Sequence, residues 1–84
     1  MKTFKTTVWQ RTINSPGARI CRDWIEVVDE NDNSIPLTKV TPHLDEDVQD
    51  VEFQLAPGQI AYRVYYKISP LHDNIRESQE VFKG

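Results

Sequence analysis

The chain has 84 residues, ten of them Lys or Arg and thirteen Asp or Glu, for a net charge of −3. That length holds one hydrophobic core, so residues 1–84 read as a single domain, and the acidic balance argues against nucleic acid, which calls for a basic face. The lone Cys21 can form no internal disulfide, and "MKTFKTTVWQRT" lacks the apolar run of a signal peptide. No apolar stretch reaches the length of a membrane-spanning helix, so the expectation is a protein made in a reducing cytosol, with no membrane partner. A hydrophobic fraction of 38% with 27% charged lies in the globular range. Two Trp, three Tyr and three Phe supply large apolar surfaces that a disordered tail lacks.

In chain order, "KTTVWQRT" is the first strand candidate, ended by the turn signal "NSPG". "ARICRDWIEVV" follows with a broken phase, Ile20 and Trp24 on one parity and Ile25 and Val27 on the other. A bulge or burial on both faces would account for the switch. "VVDENDNSIP" then raises two readings. Asp29, Asn31, Asp32 and Asn33 offer the oxygens calcium prefers, but Ser34 stands where an EF-hand loop needs glycine and Val40 where it needs glutamate. "DENDNSIP" is also similar to the calcium linker of cadherins, which works between two successive domains. Asp and Asn equally favour left-handed backbone and bond their own main chain, so the stretch is read as a polar turn with no metal. "IPLTKV" is a further short strand.

"TPHLDEDVQDV" carries Thr41 as an N-cap candidate, Pro42 at the first helical position, and Leu44, Val48 and Val51 at helical spacing. One or two helical turns or a loop both fit. "VEFQL" puts Val51, Phe53 and Leu55 inward, and "APG" supplies a turn before "QIAYRVYYKIS". In that last run Ile60, Tyr62, Val64, Tyr66 and Ile68 share one parity, read as inward. Ala61, Arg63, Tyr65 and Lys67 are then outward. The tail "SPLHDNIRESQEVFKG" reads either as a loop and a strand or as a helix.

Leu55, Pro57, Gly58, Tyr62 and Val64 resemble the stretch joining strands E and F of fibronectin type III domains, with one extra residue before the tyrosine. The resemblance implies an all-β fold, a small immunoglobulin-like antiparallel β-sandwich. "TTVWQRT" would be strand B, "ICRDWIEVV" strand C and "IPLTKV" strand C′, with strand A short or absent before Thr6. Tyr62 would inherit the corner tyrosine's hydrogen bond to main chain. The acidic segment 43–50 is long for the family. The alternative is a small α+β domain with a C-terminal helix.

Chemistry finds little footing. Cys21 lies within a strand candidate as a small hydrophobe, and His43 and His72 have no spacing that pairs them with it. Two histidines and one cysteine fall short of a zinc set, and three glycines make no phosphate loop. No catalytic residue, metal or cofactor is expected. The expected function is a non-enzymatic structural or binding module acting on protein, in a homo-oligomeric or symmetric assembly, of the kind small bacteriophage virion proteins provide as decoration or tail components. Arg63, Tyr65 and Lys67 are its candidate contact stripe. The alternative is a small regulator that binds a host enzyme through the acidic loop 43–50, with Asp45, Glu46 and Asp47 as contacts.

Overall fold

A computed structural model describes residues 1–15, 19–45, 47–69 and 74–84. Glu46, His72 and the turn at 16–17 lie outside them. The strands are β1 Lys2–Ser15, β2 Arg19–Val28, β3 Leu37–Pro42, β4 Val48–Leu55, β5 Ile60–Ile68 and β6 Ile75–Lys83. All ladders are antiparallel, in the order β3-β4-β1-β2-β5-β6. The described residues contain no helix. The expectation of helical turns in 41–51 therefore gives way: Thr41 and Pro42 end β3, while Val48 and Val51 belong to β4. Between them His43 N donates to Val48 O and Val48 N to Asp45 O, a tight turn rather than a helix start. From Ile75 the tail is β6, which removes the C-terminal helix of the α+β alternative.

The first strand is longer than its sequence suggested, beginning at Lys2 rather than Lys5. Its length has a purpose in the topology. Lys2 to Trp9 pair with β4 along one edge, and Trp9 to Ser15 pair with β2 along the other. Trp9 is the junction, opposite both Val48 and Ile25. The sheet thus forks at β1, and among the described residues each half of the strand leaves one edge without a neighbouring strand. β3 pairs with β4, whereas the C′ assignment implied a place beside strand C.

The core gathers where β4 lies against β2, β5 and β6. Val51, Phe53 and Leu55 of β4 are fully buried with Val27, Ile35, Ala61 and Phe82, and Phe4 and Val8 of β1 pack on them. Phe4, Phe53 and Phe82 form a triangle of rings 5.1–5.6 Å apart. Offset and edge-on rings at such distances add to the area they bury. A four-residue turn joins β4 to β5. Gln59 N donates to Ala56 O at 3.0 Å, and Gly58 takes a φ of 83°, which a side chain would resist.

The inward parity of β5 is the reverse of the expected one. Directly opposed residues in an antiparallel pair share a face. Ala61 is opposite Phe82, Arg63 opposite Val27, and Tyr65 opposite Ile25, so Ala61, Arg63, Tyr65 and Lys67 occupy the core side. Tyr62, Val64 and Tyr66 occupy the other face with Val28, Glu26 and Trp24. Val28 and Val64 are nonetheless fully buried. Both faces of β2 and β5 carry buried groups, which is why the phase of "ARICRDWIEVV" looked broken.

Candidate functional site

The sequence-selected contact stripe sits on the core side, and its side chains are already engaged. Arg63 Nε donates to the carbonyl of Thr7 at 3.1 Å, an acceptor on the edge that the first half of β1 leaves open. Tyr65 donates its hydroxyl to Asp23 Oδ2 at 3.0 Å, and Arg11 grips the same carboxylate through Nε at 3.0 Å and Nη2 at 2.6 Å. Asp23 is only 3% exposed. A carboxylate buried to that degree requires such partners. Trp9 completes the group, 5.9 Å from the Tyr65 ring and beneath the Arg11 guanidinium. Lys67 is half-buried opposite Asp23.

Electrostatics follow from these contacts. The Arg11 guanidinium holds the Asp23 carboxyl below its usual range, and the Tyr65 hydroxyl assists. Burial pushes the Tyr65 phenol up, and its bond to Asp23 adds to this. The cluster ties β1, β2 and β5 together, so Arg11, Asp23 and Tyr65 position these strands. Tyr62, expected at a hydrogen-bonded corner, is a half-buried residue opposite Val28 and Val81.

The opposite face holds what the parity assignment missed. Trp24 and Tyr66, directly opposed on β2 and β5, stack at 5.2 Å with planes 21° apart. Arg22 lies over the Trp24 ring at 5.2 Å, and Trp24 Nε1 donates to Glu26 Oε2 at 2.9 Å. On the other flank Arg76 donates to Asp32 Oδ1 through Nε at 2.9 Å, and the Tyr66 hydroxyl donates to the same oxygen at 3.3 Å. Arg76 thereby depresses the Asp32 carboxyl, while burial raises the Tyr66 phenol. The signal was present in the sequence: Arg22, Trp24 and Glu26 alternate along one face of β2, as do Val64 and Tyr66 along β5. Beside Trp24 a groove of about 330 Å³ opens at the fork, with Gln10, Arg22, Glu26, Asp47 and Gln49 on its walls and Val8 in its lining.

The two loops have distinct characters. In the polar loop Asp29 Oδ1 accepts from Asn31 N at 2.8 Å and from Asn33 N at 3.0 Å, and Asp32 takes a φ of 63°. These are the bonds of an Asx-type turn, and they use the carboxylate on main chain. In the acidic loop Asp45 and Asp47 are exposed, Asp45 accepting from Asp47 N at 3.0 Å, and Leu44 projects fully into solvent. His43 Nε2 lies 2.8 Å from Asp50 Oδ1, and Thr7 donates to Asp50 as well. His43 and then Thr7 lower the Asp50 carboxyl. Cys21 is partly exposed in β2 opposite Ile13, on a different element from His43.

These features define an all-β protein of six antiparallel strands with an aromatic and cationic array on one sheet face. Comparisons of the chain with protein-family models, with curated proteins and with solved structures give no match.

Proposed function

We propose that the protein is a non-enzymatic binding and assembly module, built as a small immunoglobulin-like β-sandwich and acting through protein–protein contacts as virion decoration or tail components do. The sandwich reading draws support from the strand partners. β1 with β4 matches the B–E pair, β2 with β5 and β6 matches C–F–G, and the turn at 56–59 joins one group to the other. A β3 that joins β4 fits the constant-type arrangement, in which the fourth strand lies beside E.

The observation that carries the functional reading is the Trp24–Tyr66 stack flanked by Arg22 and Arg76. Trp, Tyr and Arg dominate interface energies because they bury large rigid surfaces and still hydrogen-bond. Here the rings are held upright by each other and by Glu26 and Asp32, so little side-chain freedom remains to be lost on binding. Replacing Trp24 and Tyr66 together by Ala should weaken self-assembly or partner capture by about 2 kcal/mol or more. The reading is tested by the mass of the purified protein alone and with a cell extract, with circular dichroism confirming that the variant folds. Unchanged association in the double variant would refute it.

A second reading, a small regulator that docks through loop 43–50, is favoured by Leu44. A fully exposed leucine between His43 and Asp45 is suited to a hydrophobic pocket with a basic rim. Neutralising Asp45 and Asp47 should only slow association under the first reading, with an effect that fades at high salt. Loss of one-to-one capture on Leu44→Ser, with the Trp24 and Tyr66 variant unaffected, would favour the second.

A further inference from the structure

The fork at β1 leaves two half-edges, and among the described residues a side chain reaches across to only the first of them. Gln10 N donates to Asp47 O at 3.1 Å, which fixes the direction of the strand's peptide groups. Even-numbered residues point their N–H and C=O toward the β4 side, and odd-numbered residues toward the β2 side. Where the first half of β1 has no β2 neighbour, the Thr7 carbonyl is met by Arg63. In the second half, β4 has already ended. The Thr12 and Asn14 peptide groups then face outward with no partner strand among the described residues.

Other open edges of the sheet are guarded. β6 carries Arg76, Glu77, Glu80 and Lys83 and a register shift, while β3 is short, ends in Pro42, includes Lys39 and is likewise shifted. Charges, proline and bulges are the usual means of stopping strand addition. Thr12 and Asn14 carry no charge, and the β1–β2 register runs without a shift. Along this ledge lie the groove beside Trp24 and a second hollow of about 290 Å³ between Thr12 and Asp47.

We propose that the open half-edge of β1 at Thr12 and Asn14 accepts an extended peptide strand from a partner protein, with a Lys or Arg of that strand seated beside Trp24 and Asp47. The inference rests on the binding-module reading and names its mode. A row of outward peptide donors and acceptors is matched by another peptide backbone running in line beyond Asp47. The cation follows from the groove's walls. Arg11 is held by Asp23 and Arg22 lies over the Trp24 ring, so among the described residues the exposed Asp47 carboxylate, which lines both hollows, is left without an ion pair.

The test pans a phage-displayed library of random peptides against the wild-type protein and measures the enriched peptides on three variants. Thr12→Pro removes an outward N–H without breaking the β1–β2 ladder, so the fold survives. It should bind roughly tenfold more weakly, the loss of one main-chain hydrogen bond. Asp47→Lys should reject the Lys- and Arg-bearing peptides that the wild type selects. Failure to enrich any related peptides would overturn the proposal. Peptides that bind Thr12→Pro normally but lose affinity for Trp24→Ala would overturn strand addition and leave the binding-module reading intact. Wild-type self-association that Thr12→Pro abolishes would assign the edge to a second copy of the chain, and a foreign peptide would be excluded.

Discussion

Substituting phenylalanine for each of two tyrosines on β5 separates the face assignment of that strand from its reverse. Tyr65→Phe keeps the ring against Trp9 but deletes the hydroxyl that donates to Asp23 at 3.0 Å. A hydrogen bond to a charged group contributes about 1.5–3 kcal/mol. Asp23 retains both bonds from Arg11, so the loss should fall near the lower end, about 1.5 kcal/mol. In a domain of this size that lowers the melting temperature by about 6–12 °C. Tyr62→Phe should stay within about 0.5 kcal/mol, because the phenol bonds to side chains belong to Tyr65 and Tyr66. Urea melts of the wild type and both variants measure the difference, with the slope unchanged if only native stability moves. A larger loss at Tyr62 than at Tyr65, or equal losses, would refute the Asp23 cluster as placed and restore the opposite phase.

Calcium should leave the melting temperature where chelator puts it, since the Asp29 carboxylate is spent on Asn31 and Asn33 amides. A rise of several degrees with calcium would mean binding to the native state and contradict the turn. Acid should destabilise the fold. Asp23, Asp32 and Asp50 are all held below their ordinary range in the native state, by Arg11, Arg76 and His43 respectively. Their stabilisation is complete above the unfolded carboxylate range near pH 4, and is lost as pH falls through the lower native values. Urea midpoints between pH 6 and pH 2 should therefore fall in acid, less steeply in Asp23→Asn, and a flat profile would count against the ion pairs.

How far the fold could be read from the chain depended on whether burial was apolar. The second half of β4 was legible, because Val51, Phe53 and Leu55 alternate with polar residues and all three are buried, whereas Val48 to Asp50 were read with the preceding turn. The turn before β5 was equally plain, Pro57 and Gly58 meeting its backbone needs. β5 itself misled. Five apolar residues at period two pointed to one face, yet the core takes the small Ala61 from the other and satisfies Arg63 and Tyr65 by hydrogen bonds. Hydrophobicity counts cannot foresee a polar group that is buried because its partners come from Thr7 and Asp23, distant in sequence. The contact stripe was placed outward with that phase, whereas its residues lie on the core side, and Trp24 and Tyr66 went unselected because their stacking depends on a ladder between β2 and β5. Helical spacing at Leu44, Val48 and Val51 was a coincidence of a turn entering a strand.

The double pairing of β1 bears on how the chain reaches its native state. The hairpins β1–β2, β3–β4 and β5–β6 each join consecutive strands, whereas Lys2 with Leu55 and Arg22 with Ile68 close across most of the sequence. Local hairpins form within about 1–10 μs, and ladders between distant segments are slower because loop closure comes before any contact is gained. Both distant ladders use the β1–β2 hairpin, one strand recruiting each of the other two units. That hairpin is therefore the template on which the late steps of folding proceed. Its far end at Ser15 and Arg19 extends beyond the β4 contact, so the strand pair that recruits both other units also reaches past the last ladder with β4.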